Sequence, residues 1–495
     1  MTNVPLNQQT LSSLPDAIAL PNYDRAQLKA GIVHIGVGGF HRSHEAFYTD
    51  QLLNQSQTLD WGICGIGLRE ADRQIATALA QQDYLYTLIE KHSNGEVKHR
   101  VIGAIIDFIL AIDDAPAAID KMAHEDTKIV SLTITEGGYY FNLASNEFDL
   151  SHPDVQHDLN NPNAPKMVFG FLTAALRKRR SAGLPAFTIQ SCDNIQHNGD
   201  MTKKMLLAFV QQQDADLADW IEQEVKFPNA MVDRITPVTT REDIDELSNA
   251  GVTDAWPVVC ESFHQWVIED EFSNGRPAWE HTGAHFVSDV TPYETMKIRL
   301  LNAGHSVLGL LGSIHGHQTI DGCVADPLFA SYLRRFMDIE ATPVLDPVEG
   351  IDLEDYKDTL IQRFSNPNVK DHLSRICLES SSKLPKFLIS TINENLANGG
   401  SIRYATLVIA AWCYYSDKGT DQTGQVLDII DEMKEELHQA ATNSKTDPLA
   451  FLKLHDVFGD LVKESSFTAE YKEMLETLYQ TSNIATQMQS LMAEH

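Results

Sequence analysis

The sequence predicts an α/β fold, a doubly wound parallel sheet over residues 1–289, followed by a mainly α-helical domain over 290–495. Three observations carry this reading. Short β-branched runs alternate with helix-like stretches through the first half, and such alternation calls for a parallel sheet with helices on both faces. The runs are nearly continuous in apolar residues, as strands buried on both faces are. After Thr291-Pro292 such runs cease and helical spacing takes over.

Taken in chain order, strands are expected within 31–39 (GIVHIGVGG), 61–68 (WGICGIGL), 128–138 (KIVSLTITEGG) and 186–194 (AFTIQSCDN). Helices between them are expected at 44–53, 115–123, 168–180 and 201–211, joined by right-handed crossovers. Past the boundary, helices are expected at 293–311, 327–337, 356–364, 402–415, 423–440 and 468–491, the last with amphipathic spacing. No internal repeat or low-complexity segment interrupts this plan.

Composition narrows the function. Lys plus Arg number 38 against 69 Asp plus Glu, a formal net charge of −31. Such a chain is repelled by nucleic acid and anionic lipid, so neither is expected as a partner. The six cysteines, Cys64, Cys192, Cys260, Cys323, Cys377 and Cys413, are widely spaced and form no C-x-x-C pair, as reduced thiols would be. The first residues carry no basic and apolar leader pattern, and the longest apolar runs, 101–112 and 405–415, fall short of the ~20 residues of a membrane span. A soluble cytoplasmic protein is expected.

The first strand ends in His34-Ile35-Gly36-Val37-Gly38-Gly39-Phe40-His41-Arg42, which opens a helix. Gly36-x-Gly38 begins a dinucleotide fingerprint. Gly36 permits the tight turn, Gly38 lets a pyrophosphate approach the backbone, and the helix start attracts the anion. The third fingerprint position holds His41 instead of glycine, so the match is partial. Residues 35–42 are the candidate cofactor loop, and the domain reads as Rossmann-type. A carboxylate after the second strand would grip the adenosine ribose. Glu70 and Asp72 both stand there, with Asp72 lying 36 residues after Gly36 against the usual ~20. A carboxylate there repels a 2′-phosphate, so NAD is expected over NADP, a preference that Arg69 and Arg73 weaken.

The second signal is Tyr293-Glu294-Thr295-Met296-Lys297, continuing to Asn302 and His305. At 100° per residue Asn302 lies about 140° from Lys297 and His305 about 80°, so one broad helix face carries all three. That face falls where the two halves meet, a usual place for an active-site cleft. A lysine whose pKa is depressed by burial and nearby positive charge can act as general base, and an asparagine can donate to a developing alkoxide. Tyr293-x-x-x-Lys297 also fits the Tyr-Lys pair of short-chain dehydrogenases, but their T-G-x-x-x-G-x-G loop is absent. A third cluster, 191–199 (SCDNIQHNG), places Asn194 at the C-terminal end of a strand, where ligands bind in doubly wound sheets. Asp233 could hold a sugar hydroxyl or pair with Arg234. His-Glu-x-x-His is absent and His41 and His44 suit packing or anion contacts, so no metal is expected.

Together, GIVHIGVGGFHRSHEAFY (31–48), VSLTITEGGYY (130–140), SCDNIQHNG (191–199), FPNAMVDRITP (227–237), DAWPVVCE (254–261) and TPYETMKIRLLNAGH (291–305) resemble the polyol-specific long-chain dehydrogenases, the mannitol dehydrogenase family. The Lys-x4-Asn-x2-His array is the most specific mark, although the small residues Ala303 and Gly304 within it vary. The resemblance implies an NAD-dependent, metal-independent oxidoreductase that interconverts a polyol and its ketose, mannitol and fructose above all, and a lean towards monomers. It implies Lys297 as base, Asn194 and Asn302 as oxyanion donors, and His305 as a substrate-orienting group. It further implies Asp233, Arg375 and Lys383 as hydroxyl contacts and Asp72, with Glu70 beside it, as the ribose carboxylate. Glu136 and Glu294 are candidates to relay the proton. A sugar-acid reductase of the fructuronate or tagaturonate type is the alternative within the family, and a non-catalytic NAD-binding regulator the alternative outside it.

Overall fold

The computed structural model describes residues 3–56, 58–142 and 147–493. The chain divides into two compact units, 1–92 with 96–291, and 93–95 with 292–495.

In the first unit five strands form an all-parallel sheet. They are β1 (Ile32–Ile35), β2 (Ile63–Gly67), β5 (Ile105–Leu110), β6 (Ile129–Leu132) and β7 (Thr188–Ser191), in the order β7-β6-β1-β2-β5. The winding reverses between β1 and β6, so the crevice outside their C-terminal ends is the switch point at which doubly wound sheets bind ligands. Period-two alternation explains the two-sided burial. Val33, Ile35, Cys64 and Ile66 pack beneath α3 (Ala115–Ala123), α4 (Val168–Ser181) and α5 (Asn198–Gln213), whereas Ile32, Ile63 and Ile129 face α2 (Glu45–Gln55) and its neighbours.

The apolar run 101–112 holds parts of two strands. Gly103 and Ala104 separate β4 (Val97–Ile102) from β5, a strand that sequence reading did not single out. β4 pairs with β3 (Tyr86–Lys91), and β3 pairs with β9 (Val258–Glu261), in a second sheet. A third sheet joins β8 (Ala230–Asp233), β10 (Gln265–Glu269) and β11 (His285–Val287). The loop after β1 leads into a single helical turn, α1 (Gly39–Ser43), and His44 breaks the helix before α2 starts.

The second unit is helical. It opens with α6 (Thr291–Lys297), a π-helical turn (Ile298–Asn302) and α7 (Ala303–His315) as one continuous run, which starts two residues before and ends four residues after the expected 293–311. Then follow α8 (Pro327–Phe336), α9 (Leu353–Phe364), α10 (Ser380–Leu384), α11 (Arg403–Lys418), α12 (Lys434–Asn443), α13 (Ser465–Thr481) and α14 (Ile484–Ala493). α11 is apolar all round because it is the central helix, packed against α7, α12 and α13.

Two helix expectations are corrected. Residues 423–433 are not helical, because Gly424 turns at φ +89° and the Asp421 carboxylate accepts the Thr423 and Gln425 N–H groups. The expected helix 468–491 is two helices, broken where Ser482 takes a left-handed φ of +50°. No helix among the described residues is long and apolar enough to cross a membrane.

Candidate active site

A cavity of about 900 Å³ opens at the switch point, lined among others by Gly36, Arg69, Asp72, Asp113, Thr133 and Thr135. Gly36 sits at φ +98°, and a Cβ there would lie 2.1 Å from the Thr133 carbonyl oxygen, so only glycine fits. A Cβ on Gly38 would meet nothing nearer than the Gly36 carbonyl oxygen at 3.8 Å. The loop therefore has open space at Gly38, where backbone can approach a ligand.

The end of the candidate loop turns inward. His41 and Arg42 are buried, with Arg42 donating to the Trp256 and Gly38 carbonyls and its guanidinium lying over the Tyr86 ring. Both buttress the loop from behind. His41 stacks on His34 with ring centroids 3.4 Å apart, and both rings meet the buried Glu45 carboxylate, at 3.1 and 3.0 Å. His34 in turn reaches Thr133 Oγ1 at 2.9 Å and the Gly36 carbonyl at 3.3 Å, which ties this network to the loop's turn. Burial alone would raise the Glu45 pKa, but hydrogen bonds from His34 and His41 outweigh it and hold the carboxyl well below its usual range.

Burial, aided by His34, pushes His41 down to about 4. A group whose folded pKa is depressed releases its proton on folding, so its contribution is intact above the unfolded ~6.5 and is lost as pH falls towards the folded value. Chemical denaturation across pH 4–6.5 should therefore show a His41→Gln variant with a shallower acid limb, by about 1.4 kcal/mol per pH unit. An unchanged limb would mean that His41 is protonated in the fold.

Of the two ribose candidates, Asp72 lines the cavity and Glu70 does not. Asp72 accepts the Arg69 N–H at 3.0 Å and the Arg69 guanidinium at 3.1 Å. Glu70 is exposed and paired with Arg73, which also holds Asp113.

Sequence reading passed over one residue beside its own choice. Asp193 is buried and accepts the Ile134 and Thr135 N–H groups, at 3.0 and 2.8 Å, and the Tyr139 hydroxyl at 2.8 Å. It thereby clamps the loop after β6, where Thr135 takes a strained φ of +60°. A carboxylate at a strand's C-terminal end was the available signal. Asn194 follows it on the surface of this unit, and Glu136 is exposed on the clamped loop. Asp233 is buried at the end of β8, and its neighbour Arg234 bonds Glu90, the Ser43 carbonyl and the Glu261 carbonyl.

In the second unit the π turn reshapes the expected face. The Ala303 N–H bonds the Ile298 carbonyl, five residues back. An i→i+5 register rotates Asn302 from the ~140° of a plain α-helix back towards Lys297. The turn packs against two other π segments, Met337–Ala341 and Pro385–Ile389, the latter directly after α10 and Lys383. Lys297, Glu294 and Asn302 are buried. Asn302 Nδ2 has no hydrogen-bond partner among the described residues. π turns gather at functional sites, and a buried donor left open points to a ligand.

His305 stacks on Phe364 with centroids 4.3 Å apart. The Tyr293 hydroxyl donates to the Glu349 carbonyl at 2.7 Å, and burial raises its pKa, so this tyrosine anchors the helix. Arg375 is half-exposed and bidentate to Asp371, and Lys383 donates to the Ile376 carbonyl at 3.4 Å. Their segment lies against α7, where a Cβ on Gly309 would come within 2.9 Å of Ile376.

Residues 30–281 match the mannitol dehydrogenase Rossmann domain and residues 289–479 the mannitol dehydrogenase C-terminal domain. The chain is 46% identical to the mannitol 2-dehydrogenase of Phaeosphaeria nodorum, over 97% of this chain and 84% of that one. It is 46% identical to that of Aspergillus fumigatus over 93% of each. Among solved structures it resembles Pseudomonas fluorescens mannitol 2-dehydrogenase in its ternary complex with NAD and D-mannitol, at 47% identity, a TM-score of 0.91, and 99% and 100% coverage. It also resembles a substrate-free D-sorbitol dehydrogenase at 36% identity, a TM-score of 0.89, and 97% and 99% coverage.

Proposed function

This chain belongs to the mannitol dehydrogenase family, and we propose that it is an NAD-dependent polyol dehydrogenase that interconverts D-mannitol and D-fructose. The observation that carries the chemistry is the π turn, which rotates the buried and, among the described residues, unpartnered Asn302 donor towards the side of the helix that holds the buried Lys297. Lys297, neutral, takes the proton of the C2 hydroxyl. Asn302 and Asn194 donate to the oxygen as it becomes an alkoxide, a charge-free way to stabilise it. His305, fixed against Phe364, orients the substrate, while Asp233, Arg375 and Lys383 meet its other hydroxyls. Glu294, buried three residues before the base, and the exposed Glu136 pass the proton on towards water. The cavity over Gly36, with open space at Gly38 on the same loop, suits a dinucleotide, and NAD when bound would supply the acceptor for the C2 hydride.

A neutral polyol is favoured over a sugar acid because the Arg375 charge is already matched by Asp371. The test is absorbance at 340 nm with NAD⁺ plus mannitol, sorbitol or arabitol, and with NADH plus fructose or fructuronate. Turnover with mannitol and fructose is expected. Turnover confined to fructuronate would overturn the proposal, as would none at all. The family's lean towards monomers extends to this chain, which gel filtration checks.

Two substitutions separate the roles of the glycines. Gly38→Ala should leave thermal stability unchanged yet weaken NADH binding at least ~10-fold, because among the described residues its Cβ meets nothing nearer than the Gly36 carbonyl oxygen at 3.8 Å. Gly36→Ala should lower both, since its Cβ meets backbone. NADH fluorescence titration beside thermal melts reads the difference, and equal effects would disprove the assignment.

Asp72 is the carboxylate that sets cofactor choice. Asp72→Ala, alone or with Glu70→Lys, should raise the NADPH/NADH ratio of kcat/KM at least ~10-fold, about 1.4 kcal/mol. An unchanged ratio would move the ribose grip elsewhere.

A further inference from the structure

The C-terminal end of α7 reads His315-Gly316-His317, and Gly316 ends the helix at φ +108°. This turn brings both imidazoles to the start of α8, where each packs on Phe329, at 5.2 and 4.9 Å between centroids. Asp326 caps α8 there. Its Oδ1 accepts the Leu328 N–H at 2.9 Å, and Oδ2 lies 3.8 Å from His317 Nε2. One ligand atom from each of His315, His317 and Asp326 falls within 4.8 Å of the others. His315 Nδ1 and His317 Nε2 are buried and have no hydrogen-bond partner among the described residues. Buried polar atoms rarely stay unpaired, so two in one three-residue turn need an explanation.

We propose that His315, His317 and Asp326 form a binding site for a borderline divalent metal ion of the zinc type, which staples the end of α7 to the start of α8. Two imidazoles and one carboxylate are a ligand set such ions take, with water in the fourth position. Tetrahedral bonds of about 2.0–2.1 Å need ligand atoms roughly 3.3 Å apart, so the 3.8 Å pair closes by small side-chain rotations. Asp326 is pre-oriented by its capping bond, and the side chains of His317 and Asp326 are 21% and 31% exposed, which leaves an entry path. The His34–His41–Glu45 cluster differs, because its facing atoms already bond one another and Ser131. The proposed metal is structural. It lies at the far end of the helix from Asn302 and takes no part in hydride transfer.

The full-length chain, treated with EDTA and dialysed, is titrated with Co²⁺. One equivalent with visible d–d absorption, displaced by Zn²⁺, is expected. Zn²⁺ at 100-fold excess over its Kd should raise Tm by about 3 °C. His317→Gln and Asp326→Asn should each weaken binding at least ~10-fold, and asparagine still caps α8, so the second variant separates ligation from folding. Absent binding, or binding equal in wild type and both variants, would overturn the site. Both readouts are independent of turnover, so they stand whether or not the chain oxidises mannitol.

Discussion

Lys297→Ala should lower kcat by about 10²–10⁴-fold or more in both directions, the range a positioned general base contributes. Lys297 is buried on the last residue of α6, immediately before the π turn, so no solvent base reaches its place readily. A small primary amine supplied in solution should restore part of the rate, because truncation leaves a space of matching size. The wild-type pH profile follows from the role. The base must be neutral to oxidise mannitol and protonated to reduce fructose, so oxidation should rise with pH to a plateau while reduction falls. In the alanine variant both limbs should flatten. Tyr293→Phe should keep most activity, since its hydroxyl donates to the Glu349 carbonyl. Loss of turnover in Tyr293→Phe, with the pH limbs kept in Lys297→Ala, would make the tyrosine the acid-base group.

Asn302→Ala should cost about 10²–10³ in kcat, the usual loss for one oxyanion donor. The same change should not cost stability. A buried donor without a partner carries a desolvation penalty of about 1–3 kcal/mol, and removing Nδ2 relieves it. Inactivity with an unchanged or higher Tm is therefore the expected signature, and NADH affinity should hold. A large fall in Tm would mean that Asn302 serves packing. Asn194→Ala, at an exposed position after β7, should show a kcat loss of the same order with the fold intact. A tenfold weaker NADH affinity with normal turnover would assign Asn194 to cofactor binding.

Much of this protein was legible in its sequence because the signals are local. Burial on both faces leaves a continuous apolar run, so four of the five sheet strands were visible before any fold was known. Gly36 announces its turn because only glycine takes φ +98° against a neighbouring backbone. Lys297, Asn302 and His305 lie within nine residues, and their family spacing survives in one dimension.

Tertiary structure decided what depends on partners distant in sequence. The α-helical period placed Asn302 far round from Lys297. The π register that brings it back is a hydrogen-bond choice made where Met337–Ala341 and Pro385–Ile389 pack against that turn. His41 and Arg42 read as ligand contacts from their loop, and burial against Glu45, Tyr86 and Trp256 made them buttresses. The breaks at 423–433 and Ser482 follow from backbone turns that side-chain periodicity does not record. His315 and His317 meet Asp326 because the turn at Gly316 carries both imidazoles to the start of α8. Sequence alone determines which chemical groups the chain carries and which segments can be buried. Packing determines which of those groups meet, because burial and hydrogen-bond register are properties of the neighbours as much as of the residue.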